Sequence, residues 1–310
     1  MNANRILVTG AAGFIGSRVI AKLAREQFSC FGIDNLETGC PPLTATDNLD
    51  FRIQDICDPK GLTRIFEEAR PDVVVHLAAM HHIPTCERNP SKALYVNVVG
   101  TQNVLQAAAQ AGSRRIVLAS TGGVYDWIEG ALTEEMPVRP TDIYTLSKAT
   151  NERQLTLWVE GTDRTGIIAR IFNTIGQNDR NAHLIPDILC QLKSNGHHPV
   201  VRLGNQHTRR DYIHVEDTAA CIVTMVQADY SRGIATFNVG TGKEHSVRTI
   251  VECIAGIRNR HVEYQSDPSR IRRVDRSSQL ADVTKTRSEL GWVARLNLEE
   301  ALRLTVGEED

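Results

Sequence analysis

The chain has 310 residues, 41% of them hydrophobic, which suffices for a large core with a smaller attached lobe. Its 35 Lys and Arg against 37 Asp and Glu leave a formal net charge of -2, so nucleic acid and anionic membranes find no electrostatic footing. No apolar run approaches the ~20 residues of a bilayer span, no leader pattern precedes the first strand, and seven dispersed cysteines include no Cys-x-x-Cys pair, which together predict a cytoplasmic protein with reduced thiols.

The apolar run Ile6-Leu7-Val8 predicts a buried strand over Arg5–Thr9, and Phe14 to Leu23 follows as an amphipathic helix. Between them stand Gly10, Gly13 and Gly16. Glycines placed there allow a tight turn and let a pyrophosphate approach the amides that open a helix. A second strand, Cys30–Ile33, ends in Asp34-Asn35, ~20 residues beyond the glycine loop. An acid at that point can accept both adenosine ribose hydroxyls and repels a 2′-phosphate, which predicts NAD rather than NADP.

Further strands over Asp50–Gln54, Asp72–His76, Arg115–Ala119 and Gly166–Arg170 alternate with helical patterns. Such alternation predicts an α/β, Rossmann-type doubly wound parallel sheet. Beyond Phe172 the elements shorten, with strand-like Val200–Leu203 and Phe237–Val239 and helices near Val247–Ala255 and Leu298–Thr305. The expected division is a nucleotide-binding domain over 1–172, completed by about 205–242, interleaved with a smaller mixed α/β lobe over 173–204 and 243–310.

Tyr144 and Lys148 stand one helical turn apart in the pattern Ile143–Glu160. A free phenol, with a pKa of about 10, is a poor base near neutral pH. A nearby ammonium favours the phenolate, so the pair can take a proton while a nicotinamide ring takes hydride. Strand Ile116–Ala119 runs into Ser120-Thr121-Gly122-Gly123-Val124-Tyr125, which offers a hydroxyl at Thr121, or at Ser120 if the loop is shifted by one. His81, His82 and Cys86 lack a fourth ligand at a suitable spacing, so no metal is expected.

The Gly-x-x-Gly-x-x-Gly spacing after Thr9, the hydroxyl loop ending in Val124-Tyr125, the Tyr144-x-x-x-Lys148 pair, Arg170-Ile-Phe172-Asn173-Thr-Ile-Gly176 and Arg209-Arg210-Asp211-Tyr212 occur in a fixed order. Together with Phe237-Asn-Val-Gly-Thr-Gly242 and Leu290-Gly-Trp292 they resemble the extended branch of the short-chain dehydrogenase/reductase superfamily, the nucleotide-sugar epimerases and dehydratases. The resemblance implies NAD held by Gly10, Gly13, Phe14, Ile15 and Gly16, by Asp34, Asn35, Asp55 and Ile56, and by Leu77, Ala78, Ala79 and His81. Asn97, Tyr144, Lys148 and Phe172 complete that cofactor set. Thr121, Tyr144 and Lys148 are the implied catalytic residues. For the substrate it implies Thr121, Tyr144, Asn173, His183, Leu184, Val201 and Leu203, with Arg210 and Arg272 on the diphosphate of a nucleotide sugar, expected to be UDP-linked.

Dehydratases of this family carry Asp-Glu after the active hydroxyl and decarboxylases a glutamate before Val-Tyr, where this chain has Gly122-Gly123. That difference predicts a 4-epimerase of a UDP-hexose or UDP-hexuronate, such as UDP-glucose/galactose or UDP-glucuronate/galacturonate. A dehydratase, decarboxylase or 4-ketoreductase of the same family remains the alternative, as does a non-catalytic NAD-binding sensor. His81 in place of a lysine, Asp126 after Tyr125, and Ile175-Gly176-Gln177 in place of Tyr-Gly-Pro depart from the pattern. Ser91–Ala111 and Ile143–Glu160 carry apolar residues on more than one face. The resemblance implies a homodimer through a four-helix bundle there, while packing against the chain's own sheet would use the same surface.

Overall fold

Strands buried on both faces read as unbroken aliphatic runs. The computed structural model describes residues 5–38, 41–179, 184–194, 200–230, 233–271 and 276–307, and such runs lie at its centre. The chain begins with β1 (Arg5–Thr9), α1 (Gly16–Arg25), β2 (Ser29–Asp34), β3 (Leu49–Ile53), α2 (Pro59–Ala69) and β4 (Val73–His76). Short helices α3 (Ile83–Arg88) and α4 (Pro90–Leu94) lead through a π-helical turn, Tyr95–Val99, into α5 (Gly100–Gln110) and then β5 (Arg115–Thr121). Next come β6 (Ala131–Leu132), α6 (Ile143–Val159), β7 (Thr165–Ile171), β8 (Asn173–Ile175), α7 (Leu184–Ser194), β9 (Val200–Leu203), β10 (Arg209–His214), α8 (Val215–Gln227) and β11 (Gly233–Val239). The last elements are β12 (Glu244–Ser246), α9 (Val247–Ile257), β13 (Glu263–Ser266), β14 (Ser278–Ala281), α10 (Thr284–Leu290) and α11 (Leu298–Val306).

Seven strands in the order β11-β7-β5-β4-β1-β2-β3 form one sheet whose pairings are all parallel. Alternate side chains of each strand feed opposite layers. Ile6 and Val8 pack with Val19, Leu23 and Ile222 of α1 and α8 on one face. Leu7 packs with Leu62, Phe66, Leu105 and Leu155 of α2, α5 and α6 on the other. The strand order reverses between β1 and β4, and in open α/β sheets the crevice outside the carboxyl ends at such a point receives ligands. No described helix is long and apolar enough to cross a membrane.

The smaller lobe contains a sheet of order β12-β10-β14-β6 with β8 paired to β10, and a separate β9-β13 pair. Its core joins α7, α9 and α11 around Ile188, Ile250, Ile254 and Leu302. The expected completion of the nucleotide-binding domain by about 205–242 therefore divides in two. Helix α8 and strand β11 return to the large sheet, whereas β10 pairs only within the smaller one. Strand β6, from inside 1–172, also joins the smaller sheet through Leu280 and Ala281 of β14.

Candidate active site

The glycine loop is folded tightly onto its neighbours. Gly10 adopts φ +68, in the left-handed region, and a β-carbon there would stand 2.8 Å from Ala78 N. One at Gly16 would lie 2.0 Å from Gly10 O, so neither position admits a side chain. The first turn of α1 carries no acidic residue, which leaves the positive end of its dipole uncompensated. Asp34 ends β2 beside this loop and accepts hydrogen bonds from Ala12 N at 3.1 Å and Leu36 N at 2.8 Å. Each carboxylate oxygen keeps lone-pair capacity for a further donor. Asn35 donates to Asp55 Oδ2 at 3.1 Å, while Ile56 packs over Gly100. A cradle built on three glycines, a helix start and an adjoining acid fit a dinucleotide with free ribose hydroxyls.

Leu77, Ala78 and Ala79 leave β4 half-buried, directly against Gly10. Their position is fixed by a buried chain in which Ala78 N donates to Thr9 Oγ1, Thr9 meets His76 Nδ1 at 2.7 Å, and His76 Nε2 meets Thr101 Oγ1 at 2.9 Å. Burial, aided by the Lys148 charge, pushes His76 down to about 3, so it is neutral here. Asn97 sits in the π-helical turn, fully buried. Its Oδ1 accepts from Met80 N at 2.7 Å and its Nδ2 donates to Met80 O and Ser147 Oγ. It thereby ties the segment over the nucleotide loop to helix α6.

Helix α6 opens with a capping box in which Asp142 Oδ1 accepts from Thr145 N and the Thr145 hydroxyl accepts from Asp142 N. This fixes Tyr144 in the first turn and Lys148 in the second. Lys148 is buried, its Nζ lies 6.0 Å from the centre of the Tyr144 ring, and it donates to Ala119 O at 2.9 Å. Burial pulls the ammonium down to about 8, against the fields of Glu152 and Cys86. The sequence predicts that Lys148 holds the phenol low, but here Tyr144 is raised above its ordinary value. Burial dominates, Cys86 and Asp142 act in the same direction, and a hydrogen bond from Thr121 opposes them. The physical reason is burial of the phenol, while the Lys148 ammonium donates to Ala119 O.

The hydroxyls of Ser120 and Thr121 point to different partners. Ser120 is buried and donates to Glu152 Oε1 at 2.5 Å, while Glu152 also binds Arg170 through both oxygens, at 3.0 and 2.8 Å. Thr121 is half-buried beside Tyr144 and accepts from Gly123 N at 3.1 Å. Phe172 is buried against Gly122, where a β-carbon would meet its ring at 2.9 Å. Thr121, Tyr144 and Lys148 thus converge, with the nucleotide loop held nearby through Asn97 and Ala78.

The description GDP-mannose 4,6 dehydratase belongs to the family whose profile matches residues 7–305. A UDP-glucose 4-epimerase of Mycolicibacterium smegmatis is 33% identical over an alignment covering 97% of each chain. The chain belongs to the nucleotide-sugar epimerase/dehydratase family of extended short-chain dehydrogenases/reductases. Family membership does not single out one reaction, because a GDP-6-deoxy-D-mannose reductase of Pseudomonas aeruginosa is also similar, at 27% identity over 96% of this chain and 95% of its own. Among solved structures, the Thermus thermophilus UDP-glucose 4-epimerase in complex with NAD superposes with a TM-score of 0.86 at 29% identity, covering 97% of both chains.

Other members of the family's residue set are dispersed. Asn173 is half-buried at the start of β8, and Leu184 opens α7. Val201 and Leu203 point into the core of the smaller lobe, so any ligand contact there falls to their backbone. His81 is exposed, and His82 Nδ1 meets Thr85 Oγ1 at 2.7 Å. Among the described residues no three metal-ligating side chains cluster. His183 and Arg272 lie outside the described residues, while Arg210, on β10, donates to the carbonyls of Arg209 and Arg276 at 2.8 Å. Sequence reasoning missed Glu152, although its place one turn after Lys148 on the same helix face was a usable signal. It also missed Arg276, which no motif marks.

Proposed function

We propose that the chain is an NAD-dependent nucleotide-sugar 4-epimerase acting on a UDP-hexose or UDP-hexuronate. The observation that carries this reading is the convergence of Thr121, Tyr144 and Lys148 beside two glycines that leave no space for another acid or base. A β-carbon at Gly123 would stand 2.9 Å from the Thr145 methyl, and one at Gly122 would meet Phe172 at the same distance. A carboxylate pair for loss of water therefore has no room after Thr121, which favours epimerisation over dehydration.

The nucleotide loop, Asp34 and the 77–79 segment hold the dinucleotide, with Asp34 favouring NAD because a 2′-phosphate would meet its charge. Bound there, NAD would supply an acceptor for the hydride of the sugar C4 and its return, and a cationic ring that would favour ionisation of Tyr144. Tyr144, as phenolate, takes the proton of the C4 hydroxyl, and Thr121 orients that hydroxyl and donates to its developing negative oxygen. Lys148 supplies a fixed positive charge one turn along the helix. The sugar then turns within the pocket as its 4-keto form, so that returning hydride would reach the opposite face of C4, and Tyr144 gives the proton back to the C4 oxygen.

A 4-ketoreductase would use the same three residues in one direction, a reading favoured by the similarity to the Pseudomonas aeruginosa reductase. The test is incubation of the protein with a panel of nucleotide sugars and NAD, and with 4-keto nucleotide sugars and reduced cofactor, read by NMR and mass spectrometry. Inversion at C4 without change of mass supports the epimerase. Consumption of reduced cofactor with a 4-keto sugar, and no inversion of any panel member, would replace it by the reductase.

The chain is also proposed to pair with a second copy. Tyr95 and Val99 on the π-helical turn and Leu146 and Leu157 on the neighbouring α6 are exposed apolar side chains of the two elements expected to form a bundle.

A further inference from the structure

Glu152 is a buried acid that the proton transfer from the sugar leaves unused. It lies on α6 one turn beyond Lys148, so the two side chains share a face of the helix. Its Oε1 accepts from the Ser120 hydroxyl at 2.5 Å and from Arg170 Nε at 3.0 Å, and its Oε2 accepts from Arg170 Nη2 at 2.8 Å. Ser120 and Arg170 are themselves neighbours, paired across β5 and β7. Arg170 is also fixed from its other side, because Nη1 donates to Glu134 O at 3.0 Å and the guanidinium lies 4.6 Å from the centre of the Tyr125 ring. The carboxylate is thus held by two strands as well as by its own helix.

The bond to Ser120 reaches the residues on either side of it. Ala119 supplies the carbonyl that receives Lys148 Nζ at 2.9 Å, and Thr121 carries the hydroxyl beside Tyr144. One side chain on α6 therefore anchors the piece of β5 that holds the lysine and presents the threonine. The titratable groups whose fields meet that of Lys148 come from three elements, Glu152 on α6, Cys86 on α3 and His76 on β4. Burial first, with Asp142 and Glu87 acting in the same direction, pushes the Cys86 thiol up to about 11, and burial keeps His76 neutral. Tyr144, whose ring centre is 6.0 Å from Nζ, is raised by burial as well. That leaves Glu152 as the negative charge answering the buried ammonium, a charge it shares with Arg170.

We propose that Glu152 is a positioning residue for the reaction, which together with Ser120 and Arg170 fixes both the place and the charge of Lys148 beside Tyr144. The proposal rests on the nucleotide-sugar reading above. A phenolate needs a fixed cation nearby, so an ammonium that drifts or sheds its proton slows the proton transfer without loosening the substrate.

The test follows Lys148 directly, since its ammonium, at about 8, titrates within reach of experiment. In protein carrying carbon-13 at the lysine Cε atoms, the Lys148 signal, identified by its absence from Lys148→Met, is followed by NMR as pH rises. Glu152→Gln keeps an acceptor for Ser120 but removes the charge. Arg170→Gln removes the cation and leaves the acid, and Ser120→Ala cuts the bond to β5 while leaving the ion pair. Circular dichroism and melting curves verify that each variant is folded. Lys148 should lose its proton at a pH lower by about half a unit or more in Glu152→Gln, and higher by about as much in Arg170→Gln. An ion pair that only holds the core together predicts no such opposition, because breaking it from either side loosens the same packing. On whichever nucleotide sugar is turned over, Glu152→Gln and Ser120→Ala should each lower kcat about tenfold with KM within about twofold of the unmodified protein. Should Glu152→Gln fail to fold, Ser120→Ala and Arg170→Gln carry both readouts. A Lys148 titration that is the same in every folded variant, or kcat within about twofold in the folded Glu152→Gln and Ser120→Ala, would overturn the proposal and leave Glu152 as a core ion pair. If no nucleotide sugar is turned over, the nucleotide-sugar reading fails by itself. Opposed titrations would still support, and equal ones still overturn, the assignment of Glu152 to Lys148.

Discussion

The large sheet and the smaller lobe treat their polar side chains differently. At the carboxyl ends of β1, β4 and β5, polar groups are buried and tied to one another in the Thr9-His76-Thr101 chain, in Asn97 with Met80 and Ser147, and in Ser120 with Glu152 and Arg170. In the smaller lobe Asp211 of β10 is buried too and accepts from Thr241 and Gly242, but the ion pairs Arg209–Glu244, Arg270–Asp187 and Arg303–Glu299 stand nearer the surface. A satisfied buried network admits one arrangement and is expensive to disturb, while exposed pairs exchange partners at small cost.

On this contrast the largest effect belongs to Tyr144, the proposed base. Tyr144→Phe removes one oxygen from the buried side and should lower kcat by about 10²–10⁴-fold while leaving the thermal midpoint and NAD affinity near those of the unmodified protein. Steady-state rates on whichever nucleotide sugar is turned over, together with a melting curve, check both parts. Retention of more than a tenth of the rate would remove Tyr144 from the role of base.

Next comes the support beneath the site. Glu152 faces Arg170 at 2.8 Å, with their side chains only 10% and 7% exposed, and the Arg170 guanidinium also lies 4.6 Å from the Tyr125 ring centre. Burial alone would depress Arg170, but Glu152 outweighs it and holds the group above its ordinary value. Glu152→Ala leaves a buried cation without its partner and should cost about 3–5 kcal/mol in denaturant unfolding. Glu152→Gln, which still accepts a hydrogen bond, should cost less. A loss under about 1 kcal/mol for the alanine variant would place this network with the exposed pairs of the smaller lobe.

The same division explains what the sequence makes legible. The strands of the large sheet were readable because burial on both faces demands aliphatic runs, and Gly10, Gly16, Tyr144 and Lys148 because their backbone and spacing requirements recur as short patterns. Strand ends drifted by one or two residues, as at β5, which continues to Thr121, and by four at β11, which begins at Gly233. The smaller sheet was harder. Its strand β6 has two residues, and β10 joins partners that lie far along the chain in both directions, so no local period announces their pairing. Arg276 was invisible for a related reason. Its contacts with Gly123 and Tyr125 span about 150 residues of sequence, set by the meeting of two strands rather than by any spacing.

A smaller effect, and one that depends on pH, comes from His76. Its pKa is about 3 in the folded chain against a reference of 6.5, and the cause is burial first and the Lys148 charge second. The unfolded chain takes up a proton below pH 6.5 while the folded chain does not, so this histidine favours folding fully above 6.5. That contribution is lost as pH falls from 6.5 toward 3, with a slope of up to about 1.4 kcal/mol per pH unit. Urea unfolding at pH 7.5, 6 and 5 should show the slope in the unmodified protein and a shallower one in His76→Gln. Parallel slopes in the two proteins would mean that His76 is solvated or protonated in the folded state, and the buried chain behind Ala78 would lose its fixed character.

The smallest effect should come from the other region. Arg303 and Glu299 lie four apart on α11, their side chains are 60% and 63% exposed, and they pair at 2.7 Å. The order, with the acid toward the helix start, is the favourable one, yet water competes for both charges and both side chains lose rotamer freedom in pairing. Glu299 also stands in the first turn of α11, where its charge complements the helix dipole, so Glu299→Gln removes two weak contributions together. The expected loss is no more than about 1 kcal/mol, and it should shrink further between 0.05 and about 0.5 M salt as screening grows. Unfolding curves at both ionic strengths measure it. A loss comparable to that of Glu152→Ala, or one insensitive to salt, would show that the smaller lobe is held by its surface charges and would erase the contrast between the two regions.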